Sequence, residues 1–560
     1  MYLSPKTLKQ SDLLGKRWED EVRRMIAQRP DQNRDWNTLS GLENKRLYTP
    51  GDMGKTDFPA DIGYPGQYPF LRGNFATGFR GKPWTIRMFS GMGSAKDTNA
   101  WWRMLLREGN AGLSAAFDYP TLMGFDSDSP RARGECGRCG VSIDALPDML
   151  DLLEGIPLYL SSVSLTINPP ATAIWAMYCA AAEQRGIPLS LLRGTIQNDM
   201  LKEFIAQKTL MCPIEPSLKL VCDIVEFGVR KVPFWNTISV SGYHIREAGA
   251  DAVQELAFTI CNGMEYIREI QTRTGLEIDA FARRLSFFFS SHIDFFEEIA
   301  KLRAARRIWA KLMRNRFGAR EPQSWMMRFH VQTAGSSLTS TQIFNNIART
   351  AIEALAAVIG GAQSLHTSSL TEVLCLPSDF TVQIALRTQQ ILAEETGVAS
   401  TIDPLAGSFY LESLTDAIEQ KVWEYIEKID GMGGMKFAVM NGFPQGEIAD
   451  AAYRSQQQIE SGERIVVGVN KYDSSEAIAI PFPDFDEHIE IERIRSLRKL
   501  RKKRDGKAVK RHLGEIRNVC RKGGNVMPAC IDAVKNLATL QEICDIYREE
   551  YGEYKDPAFY

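Results

Sequence analysis

Short β-prone runs alternate with long helical patterns along the chain from Trp84 onward. Between the runs, apolar residues recur every three or four positions, as in DTNAWWRMLLREG, ATAIWAMYCAAAEQRG, DAVQELAFTICNGMEYIREIQTRTG, FFEEIAKLRAARRIWAKLMRN and TQIFNNIARTAIEALAAVIGG. The eight strand-like runs are WTIRMF (84–89), LSAAF (113–117), YLSSVSLTI (159–167), RGTIQ (193–197), ISVSGYH (238–244), LSFFF (285–289), MRFHVQ (327–332) and QSLHT (363–367). Their number and period predict an α/β fold built on a (β/α)₈ barrel.

One face of the predicted strands is small and polar. The runs 162–167 and 238–241 alternate strictly between hydroxyl and apolar residues, and successive strand residues face opposite ways. The polar set continues on other strands at Thr195, Gln197, His330, Gln332, Ser364 and His366. Barrel bores are normally filled by bulky branched side chains, so this bore has space for an elongated, hydrogen-bonding ligand. The alternative is an open sheet with one wet face, which is rare for parallel strands.

The two ends of the chain differ from the middle. Residues 1–70 are polar and rich in Pro and Gly, with isolated anchors at Trp18, Trp36, Tyr48 and Phe58, and are predicted to form an extended arm that wraps the main body. The barrel is predicted to span 71–472. Residues 473–560 then read as a Pro- and acid-rich linker followed by a helical tail.

The tail contains the very basic run IERIRSLRKLRKKRDGKAVKR. Binding to nucleic acid is one interpretation. A packed helix is favoured instead, because Ile491, Ile494, Leu497 and Leu500 form an apolar stripe and the whole chain is balanced, with 67 basic and 69 acidic residues. We therefore expect no nucleic-acid partner.

Composition indicates an ordinary globular protein, with 44% hydrophobic and 24% charged residues among 560. The N-terminus lacks an apolar signal core, and no later stretch offers about 18 uninterrupted apolar residues. Ten scattered cysteines do not form the dense framework of a small secreted domain. We expect a cytoplasmic protein that does not enter the membrane.

Three of the six histidines stand at or near the ends of predicted strands: His244, His330 and His366. Active sites of such barrels lie at the C-terminal ends of the strands. Each histidine alone fits a structural role equally well, but three together in a hydroxyl-lined bore favour a site.

Two other chemistries are less well supported. Cys136 and Cys139 form one C-x-x-C without a second pair at zinc-ligand spacing, so no metal site is predicted in this chain. Carboxylates near strand ends suggest a barrel hydrolase with an acid and a base, although cap and turn roles are favoured for them. These carboxylates are Asp118, Asp126, Asp128, Asp199 and Glu247.

The motifs resemble those of the adenosylcobalamin-dependent acyl-CoA mutases, which include the methylmalonyl-, isobutyryl- and 2-hydroxyisobutyryl-CoA mutases. The motifs that carry this resemblance are YPGQYPFLRG, KPWTIR, GLSAAFD, GFDSDSP, GTIQNDMLKE, SVSGYHIREAGA, RLSFFF, FHVQTAGSSLT, AQSLHT, IDPLAGS and VVGVNKY. The resemblance implies a barrel whose bore holds the pantetheine arm of coenzyme A. It also implies a radical 1,2-migration of the thioester group that depends on adenosylcobalamin.

The resemblance assigns roles residue by residue. His244, Tyr243 and Gln197 are the implied catalytic residues, with His244 and Gln197 on the thioester and Tyr243 beside the acyl group. The implied coenzyme A contacts are Phe75, Thr77, Lys82, Thr85, Arg87, Ser114, Ser164, Thr166, Thr195, Arg284 and Ser286. The implied acyl and cofactor side comprises His330, Gln332, Gln363, Ser368 and Glu372.

Substrate choice is expected to depend on Phe89, Gln207, Ala116 and Tyr119. Methylmalonyl-CoA mutases have Tyr and Arg where this chain has Phe89 and Gln207, and the Arg pairs with the free carboxylate of the substrate. Phe and Gln together match the isobutyryl-CoA pattern. The 2-hydroxyisobutyryl enzymes carry Asp at the position of Ala116, whereas Tyr119 departs from the usual Met or Leu and leaves pivalyl- or isovaleryl-CoA open.

The cobalamin-binding module of the family is not recognised in this sequence. Its D-x-H-x-x-G motif has no full counterpart, since the string 486–491 lacks the Gly. We therefore expect the corrin to be held mainly by a separate small cobalamin-binding subunit, in a heterotetramer of two large and two small subunits, with a G-protein chaperone as a further partner. An inactive scaffold is the non-enzymatic alternative, and retention of Tyr243, His244 and Gln197 argues against it.

Overall fold

The computed structural model describes residues 5–28, 37–53, 56–159, 161–474 and 488–557. All strand pairs in these residues are parallel, as a βα repeat requires. The strands are β1 Thr85–Ile86, β2 Phe89–Ser90, β3 Leu113–Ala116, β4 Val163–Thr166, β5 Gly194–Ile196, β6 Trp235–Asn236, β7 Ile238–Ser241, β8 Leu285–Ser291, β9 Phe329–Thr333 and β10 Ser364–His366.

The strands form two five-stranded sheets, in the orders β1-β10-β9-β8-β7 and β2-β3-β4-β5-β6. Two residues separate β1 from β2, and one residue separates β6 from β7, so each pair continues one strand from one sheet into the other. Backbone hydrogen bonds cross both seams: Gly112 N donates to Ile86 O (3.1 Å), and Ser239 N donates to Gln197 O (2.9 Å). The result is the strand order of a (β/α)₈ barrel.

Helices follow the strands at the positions that the 3.6-residue periodicity predicts, and all five helical patterns quoted above are confirmed. The α-helices are α1 Pro5–Gln28, α2 Gly78–Gly81, α3 Ala95–Arg107, α4 Tyr119–Met123, α5 Leu146–Leu152, α6 Ala171–Gln184, α7 Met200–Lys202, α8 Ile214–Lys231, α9 Tyr243–Glu247, α10 Ala252–Thr274, α11 Ile278–Phe281, α12 Phe295–Lys311, α13 Pro322–Trp325, α14 Asn345–Ile359, α15 Asp379–Glu394, α16 Phe409–Gly431, α17 Met435–Met440, α18 Phe443–Glu460, α19 His488–Lys503, α20 Gly506–Lys522, α21 Met527–Lys535 and α22 Leu540–Tyr551. Shorter 3₁₀ turns lie at Pro50–Met53, Pro130–Ala132, Leu189–Leu191 and Ala282–Arg284, and π-helical turns at Phe58–Ile62, Glu203–Gln207 and Leu312–Arg316.

Strand register places polar side chains in one layer across neighbouring strands. Ser114 pairs with Ser164, which pairs with Thr195, which pairs with Asn236. The residues next to them in sequence, such as Val163 and Leu165, are fully buried in the apolar core under the helices. The predicted polar face of the strands is therefore a continuous feature of the barrel.

Two strand predictions need correction. WTIRMF was predicted as one strand, but its pairing with β10 ends at Ile86, because the Phe89 N–H bonds to the Nδ1 atom of His366 instead of to a backbone carbonyl. ISVSGYH was also predicted as one strand, but it ends at Ser241, because the backbone turns at Gly242 into α9. His244 therefore lies on a short helix. His330 is the second residue of β9, and only His366 ends a strand.

The predicted extended arm contains a 24-residue helix, α1. Further along, Leu39 N donates to Asp294 Oδ2 (3.2 Å) and Ser40 N to Glu297 Oε1 (3.1 Å), so this part of the arm is fastened to the start of α12. Trp36, predicted as an anchor, lies outside the described residues.

The tail helices α20 to α22 pack on the barrel half that contains β3 to β6. The predicted apolar stripe of α19 is only partly used, since Leu497 is buried and Ile491 is 54% exposed. Arginines provide much of the attachment: Arg493 bonds to the buried carboxylates of Asp144 (2.7 Å) and Asp148 (2.5 Å). Among the described helices, none is long and apolar enough to cross a membrane.

Candidate active site

A cavity of about 490 Å³ opens where the C-terminal ends of the strands meet, and we call it the upper cavity. Met88, Trp101, Ala116 and Phe288 give it apolar walls. The polar side chains of the cavity come from different strands and from the loops that follow those strands. They include Ser90, Thr166, Tyr243, His244, Gln332, His366, Thr367, Ser369 and Glu372.

Tyr243 and His244 are held edge to face at one wall of this cavity. The Tyr243 ring stacks on Phe288 with centroids 4.9 Å apart, and Gln332 Nε2 donates to its hydroxyl (2.8 Å). The His244 ring is perpendicular to both aromatic rings, and its Nδ1 lies 2.8 Å from the Ser241 hydroxyl. Both side chains are therefore fixed by packing and by one hydrogen bond each.

Burial keeps this wall uncharged. Desolvation, and then the nearby Lys202 charge, hold the pKa of His244 well below its usual range. Desolvation also raises the pKa of Tyr243 well above its usual range. At neutral pH the wall presents a neutral imidazole and a protonated phenol, which can donate and accept hydrogen bonds without taking up charge.

Gln197 follows β5 and is 3% exposed. Its Oε1 accepts a hydrogen bond from Asn168 Nδ2 (3.0 Å). It is not among the side chains that line the upper cavity. Gln197 nevertheless lies two residues after Thr195, which belongs to the polar layer. Alternate residues of a strand face the same side, so the two side chains share one face of the strand.

Of the predicted cofactor-side residues, Gln332 and Glu372 line the upper cavity. His330 lies deeper, where its Nδ1 is 2.8 Å from the Ser364 hydroxyl and its ring is 5.1 Å from Phe288. Ser368 is buried and exchanges hydrogen bonds with Thr333, so it supports the strand ends.

A second carboxyl group near Glu372 was misjudged from the sequence. Glu247 was considered only as a member of a hydrolase pair and was not assigned to the cofactor side, yet burial raises the pKa of both Glu247 and Glu372 to about 7. A Cβ atom built on Gly335 would lie 3.1 Å from Glu247 Oε2, 3.2 Å from Glu372 Oε1 and 3.6 Å from the Tyr243 hydroxyl. The two carboxyls and the phenol thus meet over Gly335. The sequence did contain a signal: Glu247 follows His244 by three residues and Tyr243 by four, which places it on the same face of a helix.

A second cavity of about 490 Å³ lies at the opposite end of the strands, and we call it the lower cavity. Phe75, Thr77, Lys82 and Thr85 line it, as expected for one end of a threaded ligand. Gln363 also lines it. The prediction assigned Gln363 to the cofactor side, but it precedes β10 and therefore belongs to the N-terminal end of the barrel.

Several remaining predicted ligand contacts lie between the two cavities. Ser114, Ser164 and Thr195 belong to the polar layer, and Ser286 pairs in register with Ser239. Arg87 donates to Leu113 O (2.5 Å) and to the Ser162 hydroxyl (3.0 Å), and burial lowers its pKa to about 10.

Arg284 belongs to a cluster of arginines that the sequence analysis missed. Arg193 and Arg284 both lie over the Phe234 ring, at 4.8 and 5.4 Å from its centroid. Burial lowers the pKa of Arg284 to about 10, and repulsion from Arg328, Arg283 and Arg193 adds to the effect. Arg193, Arg284 and Arg328 each directly precede a strand, which was the signal that they share one rim.

Two predicted specificity residues lie outside the upper cavity. Tyr119 is 53% exposed at the start of α4 and does not line the upper cavity, so it gives no support to a pivalyl or isovaleryl substrate. Gln207 ends the π-helical turn Glu203–Gln207, where its Oε1 contacts Lys202 Nζ. Phe89 and Ala116 do line the cavity.

The other four carboxylates considered for a hydrolase, all of them aspartates, have structural roles instead. Asp118 caps α4 and Asp199 caps α7. Asp126 and Asp128 both pair with Arg501 of α19 (2.6 Å each). No group of three His, Cys, Asp or Glu side chains in the described ranges is arranged to hold a metal ion.

The fold is a parallel barrel with a polar layer between cavities at its two ends and an uncharged wall of Tyr243 and His244. The family to which the chain belongs makes it a mutase, an enzyme of the isomerase class. The chain belongs to the methylmalonyl-CoA mutase family, whose model matches residues 37–553. It is 43% identical over 562 residues to the 2-hydroxyisobutanoyl-CoA mutase large subunit of Aquincola tertiaricarbonis, with 100% of both chains covered. It is 44% identical to the methylmalonyl-CoA mutase of Rhizobium meliloti (strain 1021), over 93% of this chain and 73% of that protein. The methylmalonyl-CoA mutase of Escherichia coli (strain K12) is 43% identical, over 93% of this chain and 72% of that protein.

Proposed function

We propose that this chain is the substrate-binding large subunit of an adenosylcobalamin-dependent mutase that interconverts isobutyryl-CoA and n-butyryl-CoA. Identity does not separate the substrate classes, since relatives with two different substrate names match at 43% and 44%. The acyl group must therefore be inferred from the cavity.

The observation that carries the substrate assignment is the charge of the upper cavity. No Lys or Arg lines it within the described chain, and burial holds the pKa of His244 well below its usual range and that of His366 at about 3. A methylmalonyl carboxylate would have no cationic partner there, and an unpaired buried charge costs about 3–5 kcal/mol. Met88, Phe89, Ala116 and Phe288 favour a small apolar acyl group.

A second acyl group deserves a test because one relative is named for it. The 2-hydroxyisobutyryl group needs an acceptor for its hydroxyl, and the resemblance places that acceptor at Ala116, which has none. The pivalyl and isovaleryl groups are also apolar, so the absence of a cation from the described lining of the upper cavity does not separate them from the isobutyryl group; the isobutyryl group is preferred because Phe89 and Gln207 match its pattern. These alternatives rank below isobutyryl-CoA.

His244 would act on the thioester carbonyl. For its Nε2 to donate to that oxygen, Nδ1 must accept, and the Ser241 hydroxyl lies 2.8 Å away to donate to it. A neutral donor held in a dry wall stabilises a carbonyl oxygen whose charge changes during migration, without proton transfer. Tyr243, stacked on Phe288, forms a flat side to the acyl group and keeps water from it.

The rest of coenzyme A would extend through the polar layer to the lower rim. Ser164, Thr166 and Thr195 offer hydroxyls to the pantetheine amides. The arginines at the rim, Arg193, Arg283, Arg284 and Arg328, have no carboxylate within ion-pair distance in the described residues, so they are available to phosphates.

The residues above the acyl position fit a nucleoside-bearing cofactor. Glu247 and Glu372, with a pKa of about 7, lie half-buried beside Gly335 and suit the two hydroxyls of a ribose, since one carboxyl can donate while the other accepts. Adenosylcobalamin would supply the radical that starts the migration. This chain would contribute the ribose contacts, the aromatic wall and the exclusion of water.

A separate small subunit would hold the corrin. The full-length relative is named a large subunit, which supports such a partner. A further cavity of about 850 Å³ shares Met92, Cys139, Cys375, Leu376 and Pro377 with the upper cavity and also contacts α19, so the partner would cover this face. A heterotetramer, a G-protein chaperone and a cytoplasmic location complete the proposal, and the free state of all ten cysteines supports a reducing compartment.

The test mixes the chain with a small cobalamin-binding subunit, adenosylcobalamin and each candidate acyl-CoA, and separates the thioester products. Interconversion of isobutyryl- and n-butyryl-CoA is expected. Turnover of methylmalonyl-CoA alone would overturn the charge argument. No turnover of any substrate, with His244→Ala binding acyl-CoA like the unaltered chain, would support the inactive scaffold.

A further inference from the structure

A chain of buried polar side chains runs from the predicted specificity position to Gln197. Lys202 and Glu203 are both fully buried, and Lys202 Nζ lies 2.8 Å from Glu203 Oε1. The same Glu203 oxygen accepts from Asn168 Nδ2 (2.6 Å), which also donates to Gln197 Oε1 (3.0 Å). Lys202 contacts Gln207 at the other end. We call Lys202, Glu203 and Asn168 the amide relay.

The relay leaves only one orientation for each amide. An ammonium only donates and an ionised carboxylate only accepts, so Asn168 must turn its Nδ2 toward Glu203. Its Oδ1 then accepts from Asp199 N (2.9 Å), which is a donor only. Gln197 therefore has to turn Oε1 toward Asn168. Within the described residues, the side chain of Gln197 is hydrogen-bonded through Oε1, and its Nε2 has no partner there.

We propose that Asn168, held by Glu203 and Lys202, is a positioning residue that fixes Gln197 with its Nε2 donor facing the thioester carbonyl. This inference depends on the proposed function, in which Gln197 contacts the thioester. A free amide would spend part of its time with Oε1 facing the carbonyl oxygen, and two acceptors repel each other. The relay removes that orientation before substrate binds.

The test compares two probes that differ only at the carbonyl: n-butyryl-CoA, and the thioether butyl-CoA, in which a methylene replaces the C=O. Isothermal titration calorimetry on the full chain gives both affinities, and their ratio measures the carbonyl contact. Asn168→Ala should reduce the preference for the thioester by about threefold to tenfold, the worth of one neutral hydrogen bond. Binding of the thioether should change by less than about twofold.

A matched control is Asn99→Ala. Asn99 is also a buried asparagine, and its Nδ2 donates to Leu152 O and Glu154 O (2.8 Å each), but it lies on α3 away from the relay. It should lower stability without changing the ratio. If Asn168→Ala does not fold, Asn168→Leu preserves the volume and likewise cannot donate to Gln197 Oε1, and it should shift the ratio in the same direction.

The possible results distinguish a failure of the amide relay from a failure of the proposed acyl-CoA function. An equal loss for both probes, or an unchanged ratio, would overturn the relay while leaving acyl-CoA binding in place. In a Gln197→Ala background, Asn168→Ala should have no further effect on the ratio, and an additive effect would also overturn it. If the unaltered chain binds neither probe, the proposed acyl-CoA function fails and the relay fails with it.

Discussion

Selection against a charged acyl group is the most direct consequence of the upper cavity, and a double substitution should reverse it. Phe89→Tyr with Gln207→Arg introduces the guanidinium that a free carboxylate needs. Phe89 already lines the cavity, and Gln207 lies at the end of a π-helical turn in contact with Lys202. We expect methylmalonyl-CoA to become a substrate while isobutyryl-CoA becomes a poorer one.

Two opposing electrostatic effects set the size of this change in selectivity. A paired rather than unpaired buried carboxylate is worth about 3–5 kcal/mol, which corresponds to a factor of about 10² to 10³ or more in relative kcat/KM. The new guanidinium would be repelled by Lys202 by about 4 kcal/mol at 4 Å separation and an effective dielectric constant of about 20. Glu203, 2.8 Å from the Lys202 ammonium, offsets much of this repulsion, and a bound carboxylate relieves the rest. A shift in selectivity of about 100-fold is therefore the expected minimum.

The assay measures kcat/KM for both thioesters with the small subunit and adenosylcobalamin present. Gln207→Met is the matched control, since it has similar length and no charge, and it should leave methylmalonyl-CoA excluded. Selectivity that stays at the value of the unaltered enzyme in the double variant would refute the reasoning. An equal shift in Gln207→Met would show that size, and not charge, decides.

Three further predictions concern groups around the site. Ser241→Ala removes the hydrogen bond that orients His244 and should lower kcat about tenfold with little change in KM; an unchanged kcat in steady-state kinetics would argue against that orientation. Burial raises the pKa of Glu372 to about 7, so ionising it opposes folding as pH rises above its ordinary value. Glu372→Gln should therefore raise the free energy of unfolding at pH 8, measured by urea denaturation, by up to about 3 kcal/mol relative to the unaltered chain, with little gain at pH 5; equal gains at both pH values would contradict this. Arg493→Met leaves Asp144 without its buried cation and should lower the free energy of unfolding by about 3–5 kcal/mol at pH 8. Urea denaturation at low pH should show a smaller loss, because that carboxyl is then protonated; a loss that does not depend on pH would mean that Arg493 stabilises the fold by packing alone.

Element type and order were predictable because they follow from local periodicity. The helical patterns that became α3 and α14 place their apolar residues on one face over three or more turns. The alternation in 162–167 likewise predicted a strand with one polar face. Such signals are spread over many residues, so a single substitution does not hide them.

Strand ends and side-chain partners were not predictable in the same way. The end of pairing at Ile86 depends on His366, which is 280 positions away in sequence. The basic character of α19 suggested a solvated face, but Arg493 and Arg501 are matched by carboxylates on barrel loops. Pairings of this kind depend on which loops the barrel brings together.

The sequence by itself determined the barrel class, the polar face of the strands and the family motifs, because each is encoded in local spacing or in contiguous residues. Only the tertiary structure decided the charge and connectivity of the site. It showed that no described cation lines the upper cavity, that Glu247 meets Glu372 over Gly335, and that Asn168 links Gln197 to a buried ion pair. The physical reason is that desolvation and hydrogen-bond partners are set by neighbours distant in sequence, which spacing along the chain does not record.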